Sequence, residues 1–193
     1  MGQREECIDY TFIGLACAIF GGAFVYFIFL MVLVTTSTSA EYTVTITGVD
    51  GLDQLAAGDE QPMLSPVLNL TFHIDNSGNR VRGACVSGPS TAVVSYGDAF
   101  LGKGTVPEFC ADTKQENWGS VTAWGHNVEV PRFLWERLSS ELERGVAAVD
   151  VEVTMPARCL KCGNVVLRCE AKIGGGACDC WLHRVFFQSA PMT

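Results

Sequence analysis

The chain has 193 residues, 48% apolar and 18% charged, with mean hydropathy +0.24; this excludes an unfolded hydrophilic polypeptide and leaves room for one ordinary domain plus a short extra segment. Thirteen Lys and Arg against twenty-one Asp and Glu give a formal charge of -8, so no general electrostatic affinity for nucleic acid or anionic lipid is expected. Nine cysteines in this length call for an explanation from compartment or metal.

Residues 1–11 read as a short cytosolic N-terminus. No charged residue occurs between Asp9 and Glu41, and residues 12–34 are almost purely apolar. At about 1.5 Å per residue they can cross a hydrocarbon core of roughly 30 Å, so they read as one transmembrane helix. A cleaved signal peptide is the rival, with Thr38-Ser39-Ala40 as an acceptable cleavage sequence, but signal cores usually run only about 7 to 15 residues. Arg4 is the only basic residue before the helix and the next is Arg80. That bias keeps the N-terminus cytosolic and sends the following domain to the lumen or cell exterior, at the plasma membrane or an endomembrane. Gly14, Ala18 and Gly22 recur on one helical face where a second copy would approach closely, a candidate homodimer contact. Cys7, just before the span, is a palmitoylation candidate.

After a linker at 35–41 the period changes to two, the signature of half-buried strands. Tyr42, Val44 and Ile46 alternate with threonines; Leu68, Leu70, Phe72 and Ile74 alternate with Asn69, Thr71, His73 and Asp75. Asp75-Asn76-Ser77-Gly78-Asn79 then supplies turn formers. Thr91 to Tyr96 and Ala99 to Lys103 flank Gly97-Asp98, a hairpin turn. Val121 to Val130 is a further extended candidate. Pro131 to Arg144 breaks the pattern, with Leu134, Leu138 and Leu142 at steps of four and Gly145 as the stop; it reads as one short helix. Val149, Val151, Val153 and Met155, then Val165, Leu167, Cys169, Ala171 and Ile173, complete the alternating runs. The set predicts a mainly β fold, an antiparallel β-sandwich spanning 42–173 and followed by a Gly/Cys-rich tail at 174–193.

Leu68 to Asn76, then Ala92-Val-Val-Ser-Tyr-Gly-Asp-Ala-Phe-Leu-Gly-Lys-Gly104 with Val106-Pro107-Glu108-Phe109-Cys110, then Val149 to Met155, resemble the plant late embryogenesis abundant subgroup 2 domain. The membrane-anchored members related to non-race-specific disease resistance and harpin-induced proteins share the N-terminal anchor. Relatives often carry Asn-Pro-Asn where this chain has Asp75-Asn76-Ser77. The resemblance implies an immunoglobulin- or fibronectin-like sandwich tied to defence or abiotic stress, with no catalytic residues.

Seven cysteines lie after the anchor. In an oxidising compartment Cys85, Cys110, Cys159, Cys162, Cys178 and Cys180 are the disulfide candidates, with connectivity open. Cys169, alternating inward in its strand, is then the natural free thiol. Zinc competes, since Cys159-x-x-Cys162 and Cys178-x-Cys180 offer four thiols, but the strand between the pairs would separate them by about 33 Å. Asn69-Leu70-Thr71 is a glycosylation sequon on the wet face of its strand.

No nucleophile elbow, phosphate loop or zinc-protease motif occurs. Cys110 and His126 form a nucleophile and base only by an accident of composition, so no catalytic, cofactor or metal residue is assigned. Trp118, Trp124 and Trp135 read as packing the helix onto the sandwich. Trp181, Val185, Phe186 and Phe187 form an apolar tail that either adds an edge strand or rests on the domain or bilayer. The expected role is a non-enzymatic interaction or signalling accessory with a protein partner, the cell wall or lipid; lipid binding or transfer by a sandwich that opens at the membrane surface is the alternative.

Overall fold

The computed structural model describes residues 2–36, 38–52, 63–156 and 163–184. Among them the chain forms α1 (Gly2–Thr35), β1 (Glu41–Asp50), β2 (Met63–Leu64), β3 (Val67–Asp75), β4 (Ala84–Val86), β5 (Ser90–Tyr96) and β6 (Ala99–Val106). β7 (Phe109–Ala111), β8 (Glu116–Trp124), β9 (Val128–Glu129), α2 (Arg132–Glu143), β10 (Ala148–Met155), β11 (Val165–Lys172) and β12 (Cys178–Arg184) follow.

Within α1, Gly14–Thr35 is a 22-residue stretch of mean hydropathy 2.6 with none of its residues buried. A helix of that length and composition suffices for a single membrane span or signal anchor. Phe20, Phe24, Phe27 and Phe29 along it are all exposed.

The alternation seen in the sequence becomes the wall of an antiparallel barrel, ordered β1-β12-β11-β10-β5-β6-β8-β3 and closed by β3 on β1. Inward residues fill it: Leu68, Leu70, Phe72 and Ile74 from β3, Val149, Val151 and Val153 from β10, and Val94, Leu101 and Leu167 beside them are at most 2% exposed. Each such side chain contributes about 1.5–3 kcal/mol through its removal from water. A sandwich has two separate sheets, whereas here the ladder continues all the way round. The continuity is thin at two seams. β6 meets β8 through one register pair, Lys103 with Trp124, and β1 meets β12 through two, Thr43 with Asp179 and Val44 with Cys178. Glycine makes the first seam: a Cβ on Gly102 would stand 2.9 Å from the Trp124 carbonyl carbon, and one on Gly104 would collide with the Thr122 carbonyl. Any side chain at either position would push β6 off β8.

β12 falls in the segment read as a tail, and it sits between β11 and β1 rather than at a sheet edge. The extended candidate Val121 to Val130 divides into the end of β8 and the short β9, which pairs with β2. α2 forms where the sequence places a helix. Leu134 and Leu138 are buried and Leu142 packs against the core, while Arg132 pairs with Glu136 (3.0 Å) on the exposed side and Arg137 pairs with Glu141 (2.8 Å) beside the barrel.

Register fixes which loops share an end. Glu41, Asp75 and Glu116 are opposed across β1, β3 and β8, so the end nearest α1 carries the loop 76–83 and the turn 112–115. Asp50, Val67 and Trp124 mark the other end, where the Gly97–Asp98 turn and α2 also lie. The linker is fastened to the near end, since Thr38 N donates to Gly78 O at 3.3 Å.

Candidate functional site

Two sulfur bridges join directly opposed residues of neighbouring strands. Cys85 of β4 bonds Cys110 of β7 (S–S 2.06 Å), and Cys169 of β11 bonds Cys180 of β12 (S–S 2.01 Å). Cys169, expected as the unpaired thiol, is therefore corrected to a bonded one, and Cys178, expected among the pairing candidates, is free. The reason is register: β12 runs beside β11 so that Cys180, not Cys178, stands opposite Cys169, while Cys178 faces Val44 of β1. Cys180 is thus spent on Cys169 rather than on a four-thiol set, and Cys159 and Cys162 lie outside the described residues, as does the side chain of Cys7. The Cys110 sulfur is bonded and offers no thiolate. Gly14, Ala18 and Gly22 are exposed along α1.

Asn69 is half-buried in the middle of β3, flanked by β1 and β8. Its Oδ1 accepts from Thr122 Oγ1 at 2.9 Å, and its Nδ2 lies 3.1 Å from the position a Cβ on Gly48 would take. The atom a glycan would occupy therefore sits over a glycine on the outer face of the barrel. Residue 48 falls at an irregularity in the β1 register.

The tryptophans divide differently from expectation. Trp118 and Trp124 are on the outer face of β8, 59% and 68% exposed, and do not pack α2. An even spacing of six puts them on one side of a strand whose other side buries Val121 and Ala123. Trp118 stacks on His73 of the neighbouring β3, with ring centroids 4.8 Å apart and 14° between planes, and His73 Nε2 lies 3.2 Å from Glu116 Oε2. Trp135 alone of the three packs against the core, with its buried indole N–H unpaired.

A cleft of about 340 Å³ lies between α2 and the ends of β5, β10 and β11, lined among others by Tyr96, Leu134, Arg137, Glu141, Asp150 and Glu170. α2 supplies the cationic and acidic pair, because steps of four place Arg137 and Glu141 on one side of the helix. Glu141 Oε2 accepts from Tyr96 Oη at 2.8 Å, Glu141 Oε1 from Arg137 Nε at 2.8 Å, and the guanidinium lies 5.8 Å from the Tyr96 ring centre. The Arg137 hydrogen bond, with that of Tyr96 behind it, holds the Glu141 carboxyl below its ordinary value. Burial, then the same carboxylate, pushes the Tyr96 phenol up. Asp150 and Glu170 are directly opposed on the outer face of β10 and β11. The cleft thus offers an ordered Tyr-Glu-Arg triad and two adjacent carboxylates, chemistry suited to holding cationic and hydrogen-bond-donating groups. Among the described residues no three His, Cys, Asp or Glu side chains converge as a metal site. The sequence assigned none of these cleft residues a binding role; Tyr96 and Glu141 are 45 positions apart, and the docking of α2 joins them.

Comparison with protein-family models, curated proteins and solved structures finds no match.

Proposed function

We propose that the chain is a single-pass membrane protein whose β domain works outside the cytosol as a non-enzymatic interaction or signalling accessory, in plant defence or the abiotic stress response as its resemblance to the late embryogenesis abundant subgroup 2 domain implies. The observation that carries the interaction reading is the cleft formed by Tyr96, Arg137, Glu141, Asp150 and Glu170 on the barrel end away from α1, where a tethered protein presents itself to partners. A basic peptide segment is the complementary ligand. The lumenal or extracellular location draws support from the two opposed cysteine pairs, since paired thiols persist in oxidising compartments. The immunoglobulin- or fibronectin-like description is part of the proposal: the thin seams divide the barrel into faces β1-β3-β8 and β12-β11-β10-β5-β6, the layout of a sandwich whose edges have met. The alternative, uptake of an acyl chain inside the barrel, has no observation favouring it, because Phe72, Leu101 and Leu167 occupy the interior.

Photo-crosslinking from Val146 at the cleft, in the membrane-embedded full chain, tests the interaction. A discrete partner adduct that disappears on Glu170→Lys supports it; adducts equal to those from exposed Thr105 on β6 would sink it. Protease protection of vesicles with a tag at each terminus tests topology, and a C-terminal tag digested from the cytosolic side would overturn the location. A glycosidase-sensitive mobility shift lost on Asn69→Gln gives the same answer independently.

A further inference from the structure

The end of the barrel nearest α1 has a composition unlike that of the chain as a whole. The loop 76–83 exposes Arg80, Val81 and Arg82, and the adjoining turn exposes Lys114. These two segments are one surface, because Lys114 N donates to Asn79 O at 3.0 Å and Asn76 Nδ2 donates to the carbonyls of Arg82 and Asp112, each at 2.9 Å. None of the three cations has an ion-pair partner among the described residues. The acidic neighbours are partly occupied: Asp75 accepts from Ser77 N and Glu116 lies against His73, leaving Glu41, Asp112 and, two residues before Trp181, Asp179.

β12 adds apolar side chains to the same end. It runs antiparallel to β1 with Thr43 opposite Asp179, so each later residue of β12 lies one step nearer the anchor, and Leu182 comes level with Ala40. Trp181 and Leu182 are 59% and 45% exposed, and Val81 is 45% exposed. Tryptophan and basic side chains together are what the boundary between acyl chains and headgroups favours.

The tether limits where this end can be. Only residues 36–40 separate the last residue of α1 from the first of β1, and five residues span at most about 17 Å when fully extended. The fastening of Thr38 to Gly78 shortens that reach further. With α1 in a bilayer, the loops that flank the start of β1 stand no more than about 17 Å from the end of the span, within reach of the headgroup region.

We propose that the anchor-side end of the barrel rests on the lipid headgroup layer, with Arg80, Arg82 and Lys114 against phosphates and Val81, Trp181 and Leu182 at the interfacial level. The inference depends on α1 spanning the bilayer. The charge of the residues after Ala40, 12 basic (13 less Arg4) against 18 acidic (21 less Glu5, Glu6 and Asp9) or -6, sharpens the orientation, since the acidic cleft is then the end repelled from an anionic surface. The domain stands upright, with the cleft facing away.

Full-length protein in phosphatidylcholine–phosphatidylglycerol vesicles containing brominated lipid reads this through tryptophan quenching. The quenched share of the emission falls in Trp181→Phe and rises in Trp124→Phe, whose side chain marks the far end and supplies unquenched emission. Combined Arg80→Glu, Arg82→Glu and Lys114→Glu substitution, all at exposed positions, reduces the quenched share in the Trp124→Phe background. Equal quenching of wild type and Trp181→Phe, in protein that resists alkaline carbonate extraction, would overturn the docking while leaving the anchor intact. Release by carbonate would overturn the anchor and the docking with it.

Discussion

Replacing Asn76 by alanine isolates the contact that holds the anchor-side loops together. Asn76 is 1% exposed, and its Nδ2 faces three carbonyls, those of Arg82 and Asp112 at 2.9 Å and of Ala111 at 3.3 Å. Three acceptors on one side fix the amide orientation, since the reverse would set oxygen against oxygen. An amide has two hydrogens, so about two full bonds are lost, each worth roughly 1 kcal/mol net, and the abandoned Ala111 carbonyl, the buried one of the three, adds about 1 kcal/mol. Against this, Asn76 Oδ1 is itself buried without a partner, and alanine removes that cost. The balance is a loss of about 2 kcal/mol, which lowers Tm by roughly 4–8 °C for a domain of this size. Denaturant unfolding of the detergent-solubilised full chain, followed by tryptophan emission, measures it. Asn76→Asp is the control: a carboxylate offers no donor and faces three carbonyl oxygens, so it destabilises more than alanine at neutral pH and recovers partly on acidification, when one O–H returns. A loss under about 0.5 kcal/mol for alanine, the size of an ordinary surface change, would refute the reasoning, as would an aspartate variant as stable as wild type at pH 7.

Other expectations follow from the same structure. The Cys85–Cys110 bridge spans 25 positions and the Cys169–Cys180 bridge 11, so loop-closure entropy assigns them about 3.5 and 2.8 kcal/mol; paired serine substitutions compared by urea unfolding should show the first as the larger loss. In native protein a water-soluble maleimide should label Cys178 and leave Cys85, Cys110, Cys169 and Cys180 unmodified until reductant is added, as mass mapping of peptides would read. Arg137 and Tyr96 hold the Glu141 carboxyl below its ordinary value, so its contribution is present at neutral pH and is lost as pH falls below about 4.3 through the depressed value. Glu141→Gln should therefore lose less stability than wild type over that acid range in parallel melts, and identical acid slopes would remove Glu141 from the account.

Strand β3 was legible because one side of it meets the core and the other meets water at every step; Leu68 to Ile74 state that in the sequence alone. The pairing of β12 was not. Asp179-Cys180-Trp181-Leu182 lacks a clean alternation, because β12 runs past the start of β1 and its rim residues are exposed on both sides. The misreading of Cys169 and Cys178 follows from that omission, since a disulfide partner is a matter of register between strands, not of spacing within one. Asn76 shows the same limit. Its residue type marks a turn, which is where it lies, but its worth comes from carbonyls 6, 35 and 36 positions away. The cleft was illegible for a similar reason, being assembled by the docking of a helix whose own amphipathic pattern was plain.

The adjacency of β1 and β12 also orders events during synthesis. The strand that emerges first after the anchor is completed by the strand that emerges last, so the barrel has no closed form while the ribosome is still working through residues 51–177. Until then β1 has only β3 to lean on, through nine register pairs, and its other edge stays bare. A bare edge beside a growing chain is a template for wrong pairing. The outer edge of β1 is therefore the part of the barrel open to wrong pairing for as long as translation of the remaining strands takes.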